Sequence, residues 1–346
     1  MGKFAMMRET TISSFVVLSL YLLTRYPSVP GGDAGELLSE ACNLGVPHPP
    51  GYPLFTLLSS MFIRMGSLLN NFQNIFSRVT PVSEYFTPAR SVNTMCNIFG
   101  AGTSLFLGET VSLYIEHRVK HETKIEEGKS IFSSYSAIVG AISGSLFALS
   151  PLTWEYSIGT EVFALNNFLL AILLYLTLNM SIQGKEVGNK MCFIERGIHP
   201  TRSCSLGAIL CGLSLANQHT SVLFIYPLIV YVLLVLFLMP SNTEISISRI
   251  LGWYFFLFVV GLLPYFYLYL SSLQPKEGSW GDSTSLLGFL THVLRSEYGT
   301  LSLGISGAWK ETEGSFARWI AYFCNCSEQF SYLGLACFVA GSSRII

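Results

Sequence analysis

The chain has 346 residues, of which 51% are hydrophobic and 12% charged. A soluble domain carries about 25% charged residues, so about half the usual supply is present. Lys and Arg number 20, Asp and Glu number 21, and the net charge is -1. No basic excess exists to neutralise phosphates, which excludes that mode of nucleic-acid binding. The apolar content excludes a disordered chain. A mean hydropathy of +0.49, with apolar runs of about 20 residues, predicts an all-α polytopic membrane protein.

In chain order, the first membrane helix is predicted over Thr10–Tyr26 and is ended by Pro27 and Pro30, because proline lacks the amide donor a helix needs. It follows Lys3 and Arg8 but precedes no small-residue cleavage site, so it reads as a retained helix rather than a signal peptide. A mixed stretch runs to Arg90. Within it, Pro53–Leu69 is apolar but broken by Arg64, which suits a helix lying at the interface. Further helices are expected over Ser91–Ile115, Ile131–Leu149 (closed by Pro151), Glu161–Asn179, Cys204–Ala216, Thr220–Met239 and Ile250–Leu270. A last apolar stretch, Phe330–Ala340, is short for a span. The total is about seven or eight membrane helices, with interfacial helices in the first long loop.

Lys and Arg set the orientation. With the N-terminus cytosolic, that side holds Lys3, Arg8, Arg118, Lys120, Lys124, Lys129, Lys185, Lys190, Arg196, Arg202 and Arg249. The short opposite loops, 153–159 and 217–219, hold none. Residues 27–90 and 271–320 then form two large lumenal loops of a single membrane domain, 1–320. The sequon at Asn325 would be lumenal and usable, whereas Asn179-Met180-Ser181 would be silent at the cytosolic end of its helix.

The eight cysteines make no metal pattern. No phosphate loop, HExxH or GxSxG occurs. The unusual residues gather in the lumenal loops. Asp33 and Glu36 stand three apart just past the first helix and share a face if Asp33 starts a helix. Half desolvated at a membrane surface, such carboxylates can be tuned as acid or base. The plain alternative is an Asp N-cap followed by a capping-box Glu. Next, Gly45–Pro53 holds four prolines in seven residues. This stiff segment has little entropy to lose. It is either a rigid connector or a mount that turns His48 and Tyr52 toward the carboxylates.

Glu161 and Asn166 open an apolar helix after a short loop, 154–161. They either suit the helix dipole or line a lumenal cavity, as polar side chains inside membrane helices commonly do. His219, in Asn217-Gln218-His219-Thr220, caps a turn or joins the same wall. In the second loop, Trp280 and Asp282 precede an amphipathic helix carrying Leu286, Leu287, Leu290, Val293 and Leu294. Arg295 near its end either answers the helix dipole or binds a lipid phosphate.

These stretches resemble a known family. Pro30–Leu37 and Leu44–Phe55 look like the signature of the transmembrane protein 260 family, endoplasmic-reticulum protein O-mannosyltransferases of the multi-spanning glycosyltransferase-C class. Trp154, Glu161-Val162-Phe163, Asn166-Asn167, Cys211–Leu215, Asn217–Thr220, Leu263-Pro264-Tyr265, Trp280-Gly281-Asp282 and Arg295–Thr300 match as well. The resemblance covers roughly residues 28–303. Ala34 departs from the family, which commonly has Ser there. Residues 321–346 match nothing, and the family's C-terminal helical-repeat region has no counterpart here.

The resemblance implies a glycosyltransferase-C-like bundle in the endoplasmic-reticulum membrane. The donor would be dolichyl phosphate mannose, with no other cofactor and no metal. The acceptors would be Ser or Thr in IPT domains of plexin- and hepatocyte-growth-factor-type receptors. Asp33 would be the general base and Glu36 its orienting partner. Arg295 and His48 would meet the leaving phosphate. Tyr52, Glu161, Asn166, His219, Trp280 and Asp282 would bind phosphate or sugar. Two alternatives stand beside this: an inactive shortened form of the same family, and a secondary transporter. The transporter would place ionisable groups and a cavity at mid-membrane, away from Asp33. The transferase would place a lumenal cavity beside Asp33, open sideways to lipid.

Overall fold

The computed structural model describes residues 2–76, 85–123, 130–186, 202–238, 247–296, 320–329 and 334. All regular structure among them is helical. The helices are α1 (Gly2–Thr24), α2 (Ala34–Asn43), α3 (Pro53–Phe76), α4 (Pro88–Thr123), α5 (Ser130–Ala148), α6 (Pro151–Ile158), α7 (Val162–Glu186), α8 (Arg202–Asn217), α9 (Val222–Leu238), α10 (Ile247–Gly261), α11 (Phe266–Ser272) and α12 (Leu286–Val293). The Phe330–Ala340 stretch and the basic segments 124–129 and 187–200 lie outside the described residues, apart from residue 334.

Among the described residues, three stretches are long and apolar enough to cross a bilayer: Pro88–Val119, Val162–Ile182 and Ser248–Ser272. A fourth span arises if the bent pair Ser134–Ala148 and Pro151–Ile158 is counted as one. The described residues of α8 and α9 number 16 and 17, fewer than the ~20 that a straight span needs.

The longest helix, α4, is the hub and packs against α1, α3, α5, α6 and α7. Its contact with α5 explains itself from the sequence. Gly100, Ser104, Gly108 and Ser112 recur every fourth residue on α4, as do Ser136, Gly140, Gly144 and Ala148 on α5. Small residues at that spacing form a flat stripe on each helix and let the backbones touch, which is how helices associate where lipid offers no hydrophobic drive. A Cβ added at Gly108 would sit 2.9 Å from the Gly140 carbonyl oxygen, and one at Gly140 would strike the Gly108 backbone. Gly212 on α8 and Gly261 on α10 repeat the device.

Two buried clusters lie either side of α4. One joins α2, α3, α4, α7, α8 and α9 through Leu37, Phe55, Met95, Leu165, Leu210 and Ile225. The other joins Val17 and Tyr21 of α1 to Ala101 and Ala148. The outward faces stay apolar: Phe15, Leu23, Leu146, Leu223 and Phe255 are 64–82% exposed, as suits lipid contact.

Two predicted boundaries are corrected. Residues 154–161 are not a simple loop: α6 occupies Pro151–Ile158 and turns 71° from α5. Pro151 ends α5 but also opens α6, because a proline at the first helical position forfeits no internal hydrogen bond. The expected helix over Ile250–Leu270 is interrupted by a 3₁₀ turn at Leu263–Tyr265. There Pro264 has no amide to donate and the helix restarts as α11. Pro53–Leu69 does form a helix, α3, extended to Phe76.

Candidate active site

The site is assembled at one end of the bundle, where α1 and α6 end and α2, α4 and α7 begin. Asn93 of α4, fully buried, ties these ends together. Its amide donates to the carbonyl oxygens of Tyr26 (3.0 Å) and Ser28 (3.1 Å), and its oxygen accepts from the Thr160 hydroxyl (2.7 Å). One turn on, Cys96 reaches the Glu161 carbonyl oxygen and Asn97 donates to that of Ser157. This polar row fixes the chain leaving α1 beside the chain entering α7. Asp33 and Glu161 are therefore neighbours although 128 residues separate them.

Asp33 occupies the N-cap position of α2, yet its side chain makes no cap hydrogen bond and its backbone is already helical. The plain capping reading is not realised. Its carboxylate is 65% exposed and free to meet a ligand. Glu36 does not reach back to cap the helix either. It accepts the His48 backbone N–H at 2.6 Å and lies 3.1 Å from His48 Nδ1. On the other edge of the ring, Nε2 is 3.2 Å from the Tyr52 hydroxyl and 3.9 Å from Asp33 Oδ2. The stiff proline segment thus delivers His48 into the carboxylate pair. Gly51, at φ +88°, makes the final bend, and any side chain there would meet His292.

The electrostatics follow from this geometry. The hydrogen bond to Glu36 raises the His48 basicity; burial opposes it, and the charges of Glu36 and Asp33 add to it. For Glu36, burial pulls its pKa up, but the bonds and charge of His48, helped by the nearby Trp280 side chain, hold it below the usual carboxylate range. Glu161 is the opposite case. Burial, then the negative charge of Asp33, pushes it up to about 7. Its carboxyl group faces Gly32, where φ is +68°. Two carboxyl groups of the cluster are thus held in different states near neutrality, the pattern that separates acid from base roles. Burial pushes Tyr52 up to about 12, which keeps it a donor. Arg295, with φ +53°, is close enough for its charge to be felt by both His48 and Tyr52.

Asp33, Glu36, His48, Tyr52, Glu161 and Arg295 therefore converge. Trp280 joins them through Glu36. Asn166 and His219 sit on the adjoining wall: the Asn166 oxygen accepts from Ser221 at 2.6 Å, in the 3₁₀ turn that His219 begins. Asp282 stands apart. It is exposed and its oxygen takes the amide and hydroxyl of Thr284 at 2.9 and 2.6 Å, which is a turn-forming role. Asn325 is exposed in a helical stretch, and the nearby Gln329 side chain caps the Leu152 amide of α6. That contact puts the sequon at the same end of the bundle as the site. Asn93 and Thr160 were missed from the sequence. The available signal was the i, i+4 pair Asn93 and Asn97 in an otherwise apolar helix.

No three His, Cys, Asp or Glu side chains among the described residues are disposed to share a metal ion. A cavity of about 400 Å³ lies elsewhere, between α7, α8, α9 and α10. Its walls include Leu173, Met180, Cys204, Leu228, Tyr254 and Phe258, and no carboxylate lines it. It is not the lumenal cavity expected beside Asp33. No Asp, Glu, His, Lys or Arg among the described residues lines it either, whereas a coupled transporter relies on such groups.

The family model described as the Protein O-mannosyl-transferase TMEM260 N-terminal domain matches residues 33–242. The chain is 38% identical over 293 residues to a Mus musculus protein named Protein O-mannosyl-transferase TMEM260, covering 84% of this chain and 34% of the relative. It is 32% identical over 352 residues to the Dictyostelium discoideum Protein O-mannosyl-transferase tmem260, covering 99% of this chain and 38% of the relative. The chain therefore spans little more than a third of the length of these curated relatives. No solved structure matches it. The matched segment contains Asp33, Glu36, His48, Tyr52 and Glu161, and the chain belongs to the Protein O-mannosyl-transferase TMEM260 N-terminal domain family.

Proposed function

We propose that this chain is the membrane-embedded part of a protein O-mannosyltransferase that moves mannose from dolichyl phosphate mannose to Ser or Thr hydroxyls. The acceptors in this reading are IPT domains of plexin- and hepatocyte-growth-factor-type receptors. The site faces the lumen of the endoplasmic reticulum, with the N-terminus cytosolic. The observation that carries the reading is the convergence of Asp33, Glu36, His48 and Glu161 at one end of an apolar bundle. Two curated relatives named as protein O-mannosyl-transferases support it.

In this mechanism the exposed Asp33 carboxylate takes the proton from the acceptor hydroxyl. The hydroxyl oxygen attacks C1 of mannose from the face opposite the phosphate. The C1–O bond to phosphate breaks, dolichyl phosphate leaves with the electron pair, and the anomeric centre inverts. Positioned proton transfer of this kind contributes roughly 10²–10⁴-fold. A phosphate leaving group needs no general acid, only positive charge where negative charge grows. Arg295 and the readily protonated His48 supply it. Glu36 holds His48 in register. Glu161, partly protonated near neutrality, donates to a sugar hydroxyl, and Tyr52, Asn166, His219 and Trp280 complete the wall.

The test is transfer of labelled mannose from dolichyl phosphate mannose to an isolated IPT domain, using membranes containing this chain or a longer form of it. Mannose on Ser or Thr of the domain supports the reading. Absence of transfer by both forms overturns it.

A further inference from the structure

Glu40 lies one helical turn beyond Glu36 on α2, on the same face. It is 2% exposed, and the mechanism gives it no task. A carboxylate is rarely buried unless something holds it. Here the holder comes from the far end of the chain. Glu40 Oε2 accepts the Ser279 hydroxyl at 3.0 Å, and Ser279 Oγ in turn accepts the Val46 amide at 3.0 Å. The next residue, Trp280, donates its amide to the Val46 carbonyl oxygen at 2.8 Å. The Tyr267 and Ser271 hydroxyls donate to the carbonyl oxygens of Gly45 (2.6 Å) and Leu44 (2.9 Å).

Glycine makes room for this carboxylate. A Cβ at Gly45 would collide with the Glu40 and Ser279 oxygens, and one at Gly278 would lie 3.2 Å from Glu40 Oε1. The circuit then closes on the site: Glu40 holds Ser279, Ser279 precedes Trp280, Trp280 is bonded through its amide to Val46, two residues before His48, and its indole lies near enough to Glu36 to help lower its pKa.

We infer that Glu40 and Ser279 form a latch that fastens the second long loop onto α2 and so positions Trp280 against Glu36 and its partner His48. Glu40 is a positioning residue and touches no reacting atom. The inference rests on the proposed transferase reading for its consequence, but the latch itself can be measured without any sugar transfer. The oxygen of a glutamine can still accept from Ser279, so the latch requires the acceptor atom rather than the charge.

The experiment uses the intact chain in lipid nanodiscs, with Ser279→Ala, Glu40→Ala and Glu40→Gln. Hydrogen–deuterium exchange is read over residues 276–296 and at the Trp280 amide, and mannose transfer is read as kcat and KM. Ser279→Ala and Glu40→Ala are expected to speed exchange at Trp280. They are expected to lower kcat roughly 10- to 100-fold, the scale of a misplacement of about 1 Å, with little change in KM for the acceptor. Glu40→Gln is expected to restore most of both. Exchange at Trp280 that is unchanged in the alanine variants overturns the latch. Faster exchange with unchanged kcat overturns the positioning role. If neither the unaltered chain nor a longer form of it transfers mannose, the functional reading fails while the exchange pattern still decides the latch.

Discussion

Glu161→Gln isolates the electrostatics of the site in a stability measurement. Burial and the neighbouring Asp33 lift the Glu161 carboxyl from 4.5 to about 7. A carboxyl whose pKa is higher folded than unfolded binds its proton more tightly in the folded state. Its contribution is therefore fully favourable below about pH 4.5 and is lost as pH rises through about 7. Each pH unit across that window is worth about 1.36 kcal/mol. Ionised Glu161 thus opposes folding by about 2–3 kcal/mol above pH 8, once the hydrated part of the group is allowed for. Glutamine keeps the shape and cannot ionise. Glu161→Gln should match the unaltered chain at pH 4 and exceed it at pH 8.5 by about 5 °C in Tm, read by thermal unfolding in nanodiscs. A Tm difference that is the same at both pH values, or a less stable glutamine variant at pH 8.5, would refute the assigned environment of Glu161.

Glu36→Gln removes the main support for protonated His48, so the pH at which diethyl pyrocarbonate half-modifies His48 should fall, as judged by mass spectrometry. An unchanged midpoint would contradict the Glu36–His48 pair at 3.1 Å. Gly140→Val forces a side chain into the Ser112 hydroxyl and the Gly108 backbone. Overpacking typically costs about 1–3 kcal/mol, and a backbone wall cannot yield as a side chain does, so folded protein recovered by size-exclusion chromatography should drop sharply. Asn93→Ala leaves the carbonyl groups of Tyr26 and Ser28 and the Thr160 hydroxyl without their shared partner, a loss of about 1–3 kcal/mol for each buried group left unsatisfied. It should lower both Tm and transfer.

Much of the bundle was legible because its physics is local. Apolar length marks α4 and α7, whereas the four-residue repeat of small side chains took on meaning only once α4 and α5 were seen to pack together. Proline was the weak signal. The same missing amide separates two helical segments at Pro151 and at Pro264, and at each the proline stands in the first turn of the new segment, so its presence alone does not say whether a helix ends for good or restarts at an angle. In the site, Asp33, Glu36, His48 and Tyr52 stand within 20 residues of one another, on one helix start and one stiff segment, so their meeting was readable. Ser279 and Glu40 are 239 residues apart, and no periodicity or composition announces that contact. Asp282 looked like a pocket residue because it is an acid in the second long loop. Its Oδ1 instead closes a local turn, a use that Asp followed two residues later by Thr commonly serves.

In the proposed mechanism Asp33 removes the acceptor proton. The most direct measurement compares the unaltered chain with Asp33→Asn in transfer from labelled dolichyl phosphate mannose to an IPT domain at matched expression. The account predicts a loss of roughly 10²–10⁴-fold with normal folding, since Asp33 is exposed and makes no cap bond. Transfer by Asp33→Asn at the rate of the unaltered chain would contradict it.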